Sequence, residues 1–366
     1  MSESILLIPD ISGFTDFINR TEITHSQHII SELLEIIIQN QNMGMEVAEI
    51  EGDAVLFYNN GSEIDVESIF RETEHMFLKF HRHIMEYENN RICNCGACST
   101  ATRLSLKFIV HKSEIGFTTI NKNKKPFGPG LIVIHRLLKN KIKLPEYILF
   151  SENMFRGIED YKKKNNTSKV SFLEGSESYK SIGRINYKYV DYSPLLNRVE
   201  EVEPHIFNAL STNPLTYEDV IDTPVKKVYE ILSNLDYRLE WQQGVKELKY
   251  DKNRVNRIGT KHVCVFSGSK FEFETTSRPA GNEKMIYGEK LANVLFNREI
   301  NIYYVLENNG ARTHVRIEMH FDPQSILGYL MLPLAKYQFK KGIVKSFKSL
   351  KRYCESKKAE PKDFNS

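Results

Sequence analysis

Ile5-Leu6-Leu7-Ile8 runs straight into Pro9-Asp10-Ile11-Ser12-Gly13, and this junction constrains the N-terminal half more than any other stretch. Four consecutive apolar residues suit a strand buried on both faces. The Pro-to-Gly segment reads as the break that ends it, which leaves Asp10 at the tip of a buried strand. Phe14 to Arg20 then starts a helix, and Thr24 with Gln27 three residues on marks a capping-box start for another. Ile29, Ile30, Leu33, Leu34, Ile37 and Ile38 line one face of that helix. Met45–Ile50 and Ala54–Tyr58 read as strands joined by a tight turn at Glu51-Gly52-Asp53. Val66, Ile69, Phe70, Phe77, Phe80 and Ile84 mark a further amphipathic helix. Leu104–His111 and Gly116–Ile120 pattern as a hairpin, Leu131–Leu138 as a helix, Tyr147–Ser151 and Tyr187–Tyr192 as strands, and Lys162–Ser178 as a polar surface loop. The fold class expected is α+β, an antiparallel-centred sheet with helices on one side.

At 366 residues the chain exceeds what one core usually organises, so two domains are expected. Residues 1–195 form the first, 196–208 a linker, 209–356 the second and 357–366 a polar tail. The second half starts afresh with a strand at Leu215–Ile221 and a helix opened by Pro224. Strands follow at Thr260–Phe266, Phe271–Thr276, Glu283–Tyr287, Arg298–Leu306 and Thr313–Phe321, then a long helix from about Gln324 to Tyr353. A curved antiparallel sheet wrapped on that helix is the simplest packing.

Composition excludes several classes. With 41% hydrophobic and 27% charged residues the chain is neither disordered nor a small disulfide scaffold. A net charge of +3 gives no global pull toward nucleic acid, and no nucleic-acid partner is expected. Five cysteines without a leader pattern before Ile5 suggest a reducing cytoplasm. Leu327–Ala335 is apolar but, at nine residues, too short to cross a bilayer, which takes about 20.

Asp10 and Asp53 are the most informative pair. Two carboxylates brought to one sheet edge by rigid strands can hold Mg²⁺ or Mn²⁺, which prefer oxygen ligands and bound phosphates. Ile11, Ser12, Gly13, Phe14 and Thr15 offer backbone N–H groups at a helix start, where an anion is favoured. The same residues also suit plainer roles, Asp10 as a helix N-cap and Gly52-Asp53 as a hairpin turn.

Asp10-Ile11-Ser12-Gly13-Phe14-Thr15, followed by Glu49-Ile50-Glu51-Gly52-Asp53-Ala54, resembles the class III nucleotidyl (adenylyl/guanylyl) cyclase catalytic domain. The resemblance covers roughly residues 3–193 and implies a ferredoxin-like core. It also implies paired metals on Asp10 and Asp53, a nucleoside triphosphate ligand, and a homodimer with shared sites. By the same resemblance Glu49 and Lys125 fall at base-reading positions, and Arg136 matches the arginine that stabilises the transition state. Ile132 falls where the family carries a ribose-positioning asparagine, and isoleucine cannot donate that hydrogen bond. From Asn121 to Lys143 there are seven Lys or Arg and no Asp or Glu, which suits phosphate as well as a solvated face.

Cys93, Cys95 and Cys98 pack three thiols into six residues. They suit zinc, with His83 or His111 as a fourth ligand, or an iron–sulfur cluster, or a plain thiol loop. Asp222-Thr223-Pro224-Val225, Trp241 and Arg257-Ile258-Gly259-Thr260 resemble the START/polyketide-cyclase (SRPBCC) superfamily over about residues 210–356. That resemblance implies a helix-grip fold whose cavity takes an apolar small molecule or lipid. Phe266, Phe271, Phe273, Tyr287, Phe296, Tyr303, Tyr304 and Phe321 are candidates to line it. From Lys336 to Lys358 nine basic residues face Glu355 alone, a pattern that suits anionic lipid headgroups or a solvated helix. Two functions follow: a degenerate cyclase-like sensor of nucleotide coupled to a ligand-holding domain, or an active cyclase working by two-metal catalysis.

Overall fold

Strand β1 (Ser2–Ser12) does not stop at Pro9. The computed structural model describes residues 2–19, 21, 23–59, 64–92, 99–120, 123–165, 170–202, 211, 213–278, 284–294 and 297–357. In it the strand continues to Ser12, and the chain turns at Gly13, whose φ of 88° suits glycine. Proline only removes one donor, and the pairing to β3 (Ala54–Tyr58) falls at Leu6, Leu7 and Asp10, on either side of Pro9. The break expected at Pro9 therefore lies four residues later.

The chain divides into two units, Met1–Asn89 with Cys95–Glu203, and Asn90–Asn94 with Pro204–Ser366. In the first, β1 is central and antiparallel to both neighbours, β3 and β4 (Ser105–Ile120). The sheet order is β2-β3-β1-β4-β6-β8-β7, with β2 at Glu46–Glu51, β6 at Tyr147–Ser151, β7 at Leu173–Tyr179 and β8 at Gly183–Asp191. β5 (Asn123–Phe127) pairs only with the far half of β4. β4 and β6 run parallel, the one departure from antiparallel pairing among the described residues.

Helix α1 (Phe14–Asn19) and α2 (Ile23–Gln39) follow β1, so Thr24 lies inside α2 rather than capping it. On one face of the sheet α3 (Val66–Asn90) packs through Phe70 on Phe150, and through Phe77 on Tyr192, which also meets Phe108. On the other face Leu6, Ile8, Leu56, Ile109 and Leu149 pack with Ile134 and Leu137 of α4 (Pro129–Leu137). Helices thus cover both faces, not one. The reason is visible in the sequence: a strand with four consecutive apolar residues leaves no wet side.

Two further expectations are corrected. Residues 104–120 are not a hairpin; β4 is a single 16-residue strand that pairs with β1 in its first part and with β5 in its last. No glycine or proline interrupts it before Gly116, so nothing turns the chain. The polar stretch 162–178 is not all loop, since α5 (Phe155–Asn165) and β7 occupy its ends.

In the second unit β9 (Leu215–Ile221) leads into α6 (Val225–Ser233) and α7 (Arg238–Trp241). Pro224 immediately precedes α6. Strands β10 (Glu247–Lys249), β11 (Lys261–Phe266), β12 (Ser269–Thr276), β13 (Lys284–Val294), β14 (Asn297–Asn309) and β15 (Arg312–Pro323) follow as an antiparallel meander. β9 pairs with β15, so the unit's first and last strands meet. α8 (Ile326–Ser356) is capped by Ser325, whose hydroxyl accepts from the Gly328 N–H at 3.1 Å. Its later turns bury Phe347, Leu350 and Cys354, with Phe347 against Tyr217.

Candidate functional site

Strand alternation decides where Asp10 points. Leu6, Ile8 and Asp10 share a face, and Leu6 and Ile8 belong to the cluster under α4. Asp10 is opposite Ala54 on β3 and opposite Lys107 on β4. A row of side chains therefore crosses the sheet where that cluster ends. Asp53 enters from the β2–β3 turn, held by the Ile11 N–H donating to its carbonyl at 2.9 Å. Gly52 makes the turn possible with a φ of 58°.

The two aspartates are electrostatic neighbours. Burial first, and the Asp10 carboxylate second, push Asp53 above its ordinary value; its own backbone hydrogen bond and Lys107 pull the other way. The Lys107 ammonium lies 2.9 Å from Asp10 Oδ2, with the side chains only 19% and 13% exposed. Asp10 also acts on Tyr147, whose phenol burial raises to about 12 while Asn140 donates to its oxygen at 2.8 Å. Sequence reading missed both Lys107 and Tyr147. Lys107 was detectable, as the one charged residue in the Leu104–Val110 run.

A divalent ion suits this chemistry. Mg²⁺ needs hard oxygen donors, commonly one or two carboxylates completed by water and substrate phosphates. A dication would also relieve the repulsion that raises Asp53. Among the described residues no cluster of three or more His, Cys, Asp or Glu is poised for a metal, so the site has two carboxylates and no third. Lys107 competes for one of them.

The other expected residues distribute unevenly. Ile11 gives its N–H to Asp53 and Ser12 pairs with Ser105, so neither matches the free helix-start donors expected; Gly13, Phe14 and Thr15 form that start. Glu49 and Lys125 do meet, Lys125 Nζ donating to Glu49 Oε1 at 3.3 Å. Arg136 and Ile132, one turn apart on α4, are both exposed, Ile132 at 56%. The charges acting most on Asp53 are Asp10, Lys107 and Glu51, and Arg136 is not among them.

Cys93, Cys95 and Cys98 lie outside the described residues. His83 contacts Glu32 at 2.7 Å, and His111 Nδ1 contacts the Ser151 hydroxyl at 2.7 Å. Burial holds His111 down to about 4.

In the second unit Phe266, Phe271, Phe273, Tyr287, Tyr304 and Phe321 share one face of the sheet by register. Tyr303 does not: it falls on the opposite face with Ile286 and Val305. Phe296 lies outside the described residues. The same face also carries a polar cluster that the sequence did not reveal. Arg238 from α7 pairs with Glu289 on β13, with Tyr287 donating to Glu289 at 2.8 Å, and both partners are almost wholly buried. His262 stacks on Phe273, and neither of its ring nitrogens has a hydrogen-bond partner among the described residues. Burial, reinforced by Arg238, holds His262 down to about 3, so it is neutral beside Glu289.

A family model described as "Protein of unknown function (DUF2652)" matches residues 30–147. The uncharacterized protein Rv2561/Rv2562 of Mycobacterium tuberculosis is 27% identical over 162 residues, 44% of this chain and 73% of the relative. Solved structures similar to the chain include the adenylyl cyclase CyaB of P. aeruginosa, at 13% identity and a TM-score of 0.36, covering 51% of this chain and 93% of that one. The guanylate cyclase domain of RhGC from Catenaria anguillulae, in complex with GTP, is 15% identical at a TM-score of 0.34, covering 52% and 96%. Protein CV1439 of Chromobacterium violaceum is 17% identical at a TM-score of 0.32, covering 40% and 99%. Structures of class III adenylyl and guanylyl cyclases are thus similar to about half of the chain, at a level that bears on neither its reaction nor its ligand. Among the described residues no helix is long and apolar enough to cross a membrane.

Proposed function

We propose that the N-terminal unit is a divergent class III cyclase-like domain that binds a nucleoside triphosphate through a divalent cation on Asp10 and Asp53. The electrostatic coupling of these two carboxylates, Asp53 being raised first by burial and then by Asp10, is the observation that supports the reading. The strand–helix–strand–strand–helix–strand order from β1 to β4, with sheet order β2-β3-β1-β4, supports a ferredoxin-like core. Mg²⁺ or Mn²⁺ would supply charge neutralisation for the phosphates. Lys107 is the point charge next to them, and Glu49 with Lys125 forms a polar pair where a base is read.

Catalysis is weak or lost in this reading. Ile132 offers no hydrogen bond beside Arg136, and one misplaced contact costs about 10²-fold in rate. Exposed Ile50 on β2, Phe127 on β5 and Ile132 on α4 are apolar surface of the kind a homodimer covers. The C-terminal unit serves as a helix-grip ligand holder that regulates the first. Its sheet and α8 support that assignment.

Incubating the protein with ATP or GTP and Mn²⁺ tests the reading. Cation-dependent nucleotide binding without appreciable cyclic product is expected, and Ile132→Asn should raise product formation. Robust cyclisation by the wild type would restore the active-cyclase reading; no nucleotide binding at all would remove both.

A further inference from the structure

α8 starts with three turns that its own unit leaves uncovered. Ile326, Leu327, Tyr329, Leu330, Leu334 and Tyr337 are between 51% and 82% exposed, Ile326 at 82% and Leu330 at 72%. Scattered exposed leucines are ordinary; six large apolar side chains within twelve residues form a contiguous patch that marks an interaction surface.

The patch continues into charge. Ile326, Leu330, Leu334 and Tyr337 follow one another at spacings of three and four, so they stack along one side of the helix. The same spacing carries on through Lys341, Lys345 and Lys348, all exposed. Lys341 Nζ sits 4.4 Å from the Tyr337 ring, at the junction of the two halves. No Asp or Glu occurs from Gln324 to Cys354. The opposite side holds the helix to its sheet, with Phe339 on Phe321 and Phe347 on Tyr217. One stripe thus begins apolar and aromatic and ends basic.

We infer that this stripe docks the C-terminal unit on an anionic membrane surface. Residues 326–335 span about 15 Å at 1.5 Å per residue, half the hydrocarbon core, so the tip enters one leaflet without crossing. Tyr337, just past that span, sits where tyrosines favour the headgroup boundary. Lys341, Lys345 and Lys348 follow on the same side, where anionic headgroups attract them. Charge decides the occupant: a stripe with three exposed lysines and no acid repels a second copy of itself but complements an anionic bilayer.

Co-sedimentation of the full chain with vesicles tests this, using phosphatidylcholine alone and phosphatidylcholine mixed with phosphatidylserine. The wild type is expected to pellet with the mixed vesicles, and less so as salt rises. Leu330→Asp with Leu334→Asp should abolish binding. Lys341→Glu with Lys345→Glu should weaken it by at least about 25-fold, fivefold for each lysine removed. These positions are solvent-exposed, so both variants should keep the wild-type circular dichroism. Absence of binding to either vesicle, binding indifferent to phosphatidylserine, or binding that survives both double substitutions overturns the inference. So does self-association in solution that Leu330→Asp abolishes, which would assign the stripe to a second copy.

Discussion

Asp53 sits in a position that folding alone disfavours. Burial and the Asp10 carboxylate both raise it, so at neutral pH its charge is held against local repulsion. A carboxylate raised in the folded state detracts from stability at neutral pH, and the penalty fades as pH falls and the group is protonated. Asp53→Asn should therefore raise the melting temperature of cation-free protein, while the stabilisation by Mn²⁺ seen in the wild type disappears. Thermal melts with and without Mn²⁺ read both effects. An unchanged or lower melting temperature without cation would mean that neither burial nor Asp10 disfavours the charged form of Asp53.

At the scale of elements, a buried histidine narrows the pH range of each sheet, His111 on β4 in the first unit and His262 on β11 in the second. Folded His111 and His262 resist protonation down to about 4 and about 3, whereas in the unfolded chain an imidazole protonates near 6.5. Their neutral burial is fully compatible with folding above pH 6.5, and stability falls as pH drops below it, by up to about 1.4 kcal/mol per unit for each ring. His262→Phe keeps the stack on Phe273 and should flatten that decline, read by urea unfolding at pH 7 and pH 5. Glu289→Ala leaves the Arg238 guanidinium buried without its partner and should lose about 3–5 kcal/mol in the same assay.

Elements are also where legibility from sequence varies. Apolar periodicity marked α3 because it buries a regular face, and an unbroken apolar run marked the strand Ala54–Tyr58, which is buried at every position. Pro9 misled because a proline's effect depends on which neighbour needs its missing N–H, a tertiary fact. The hairpin expected from Leu104–His111 and Gly116–Ile120 failed because the polar stretch between them does not distinguish a turn from part of a long strand. The carboxylate pair was legible from its motif spacing, but Lys107 was not recognised as its neighbour. Cross-strand register alone sets Asp10 opposite Lys107. The Arg238–Glu289 pair joins residues 51 apart in sequence, with no local signal in either.

At the scale of the whole molecule, each unit has its own chemistry: hard oxygen donors in the first, a buried ion pair and an uncovered helix stripe in the second. We propose that Asp10 and Asp53 jointly hold one divalent cation. Titration of Mn²⁺ into the full chain with nucleotide present, followed by the electron paramagnetic resonance of free Mn²⁺, measures this directly. Asp10→Asn and Asp53→Asn should each weaken binding by at least about tenfold, the loss of one charged contact. Wild-type affinity in both variants would contradict it.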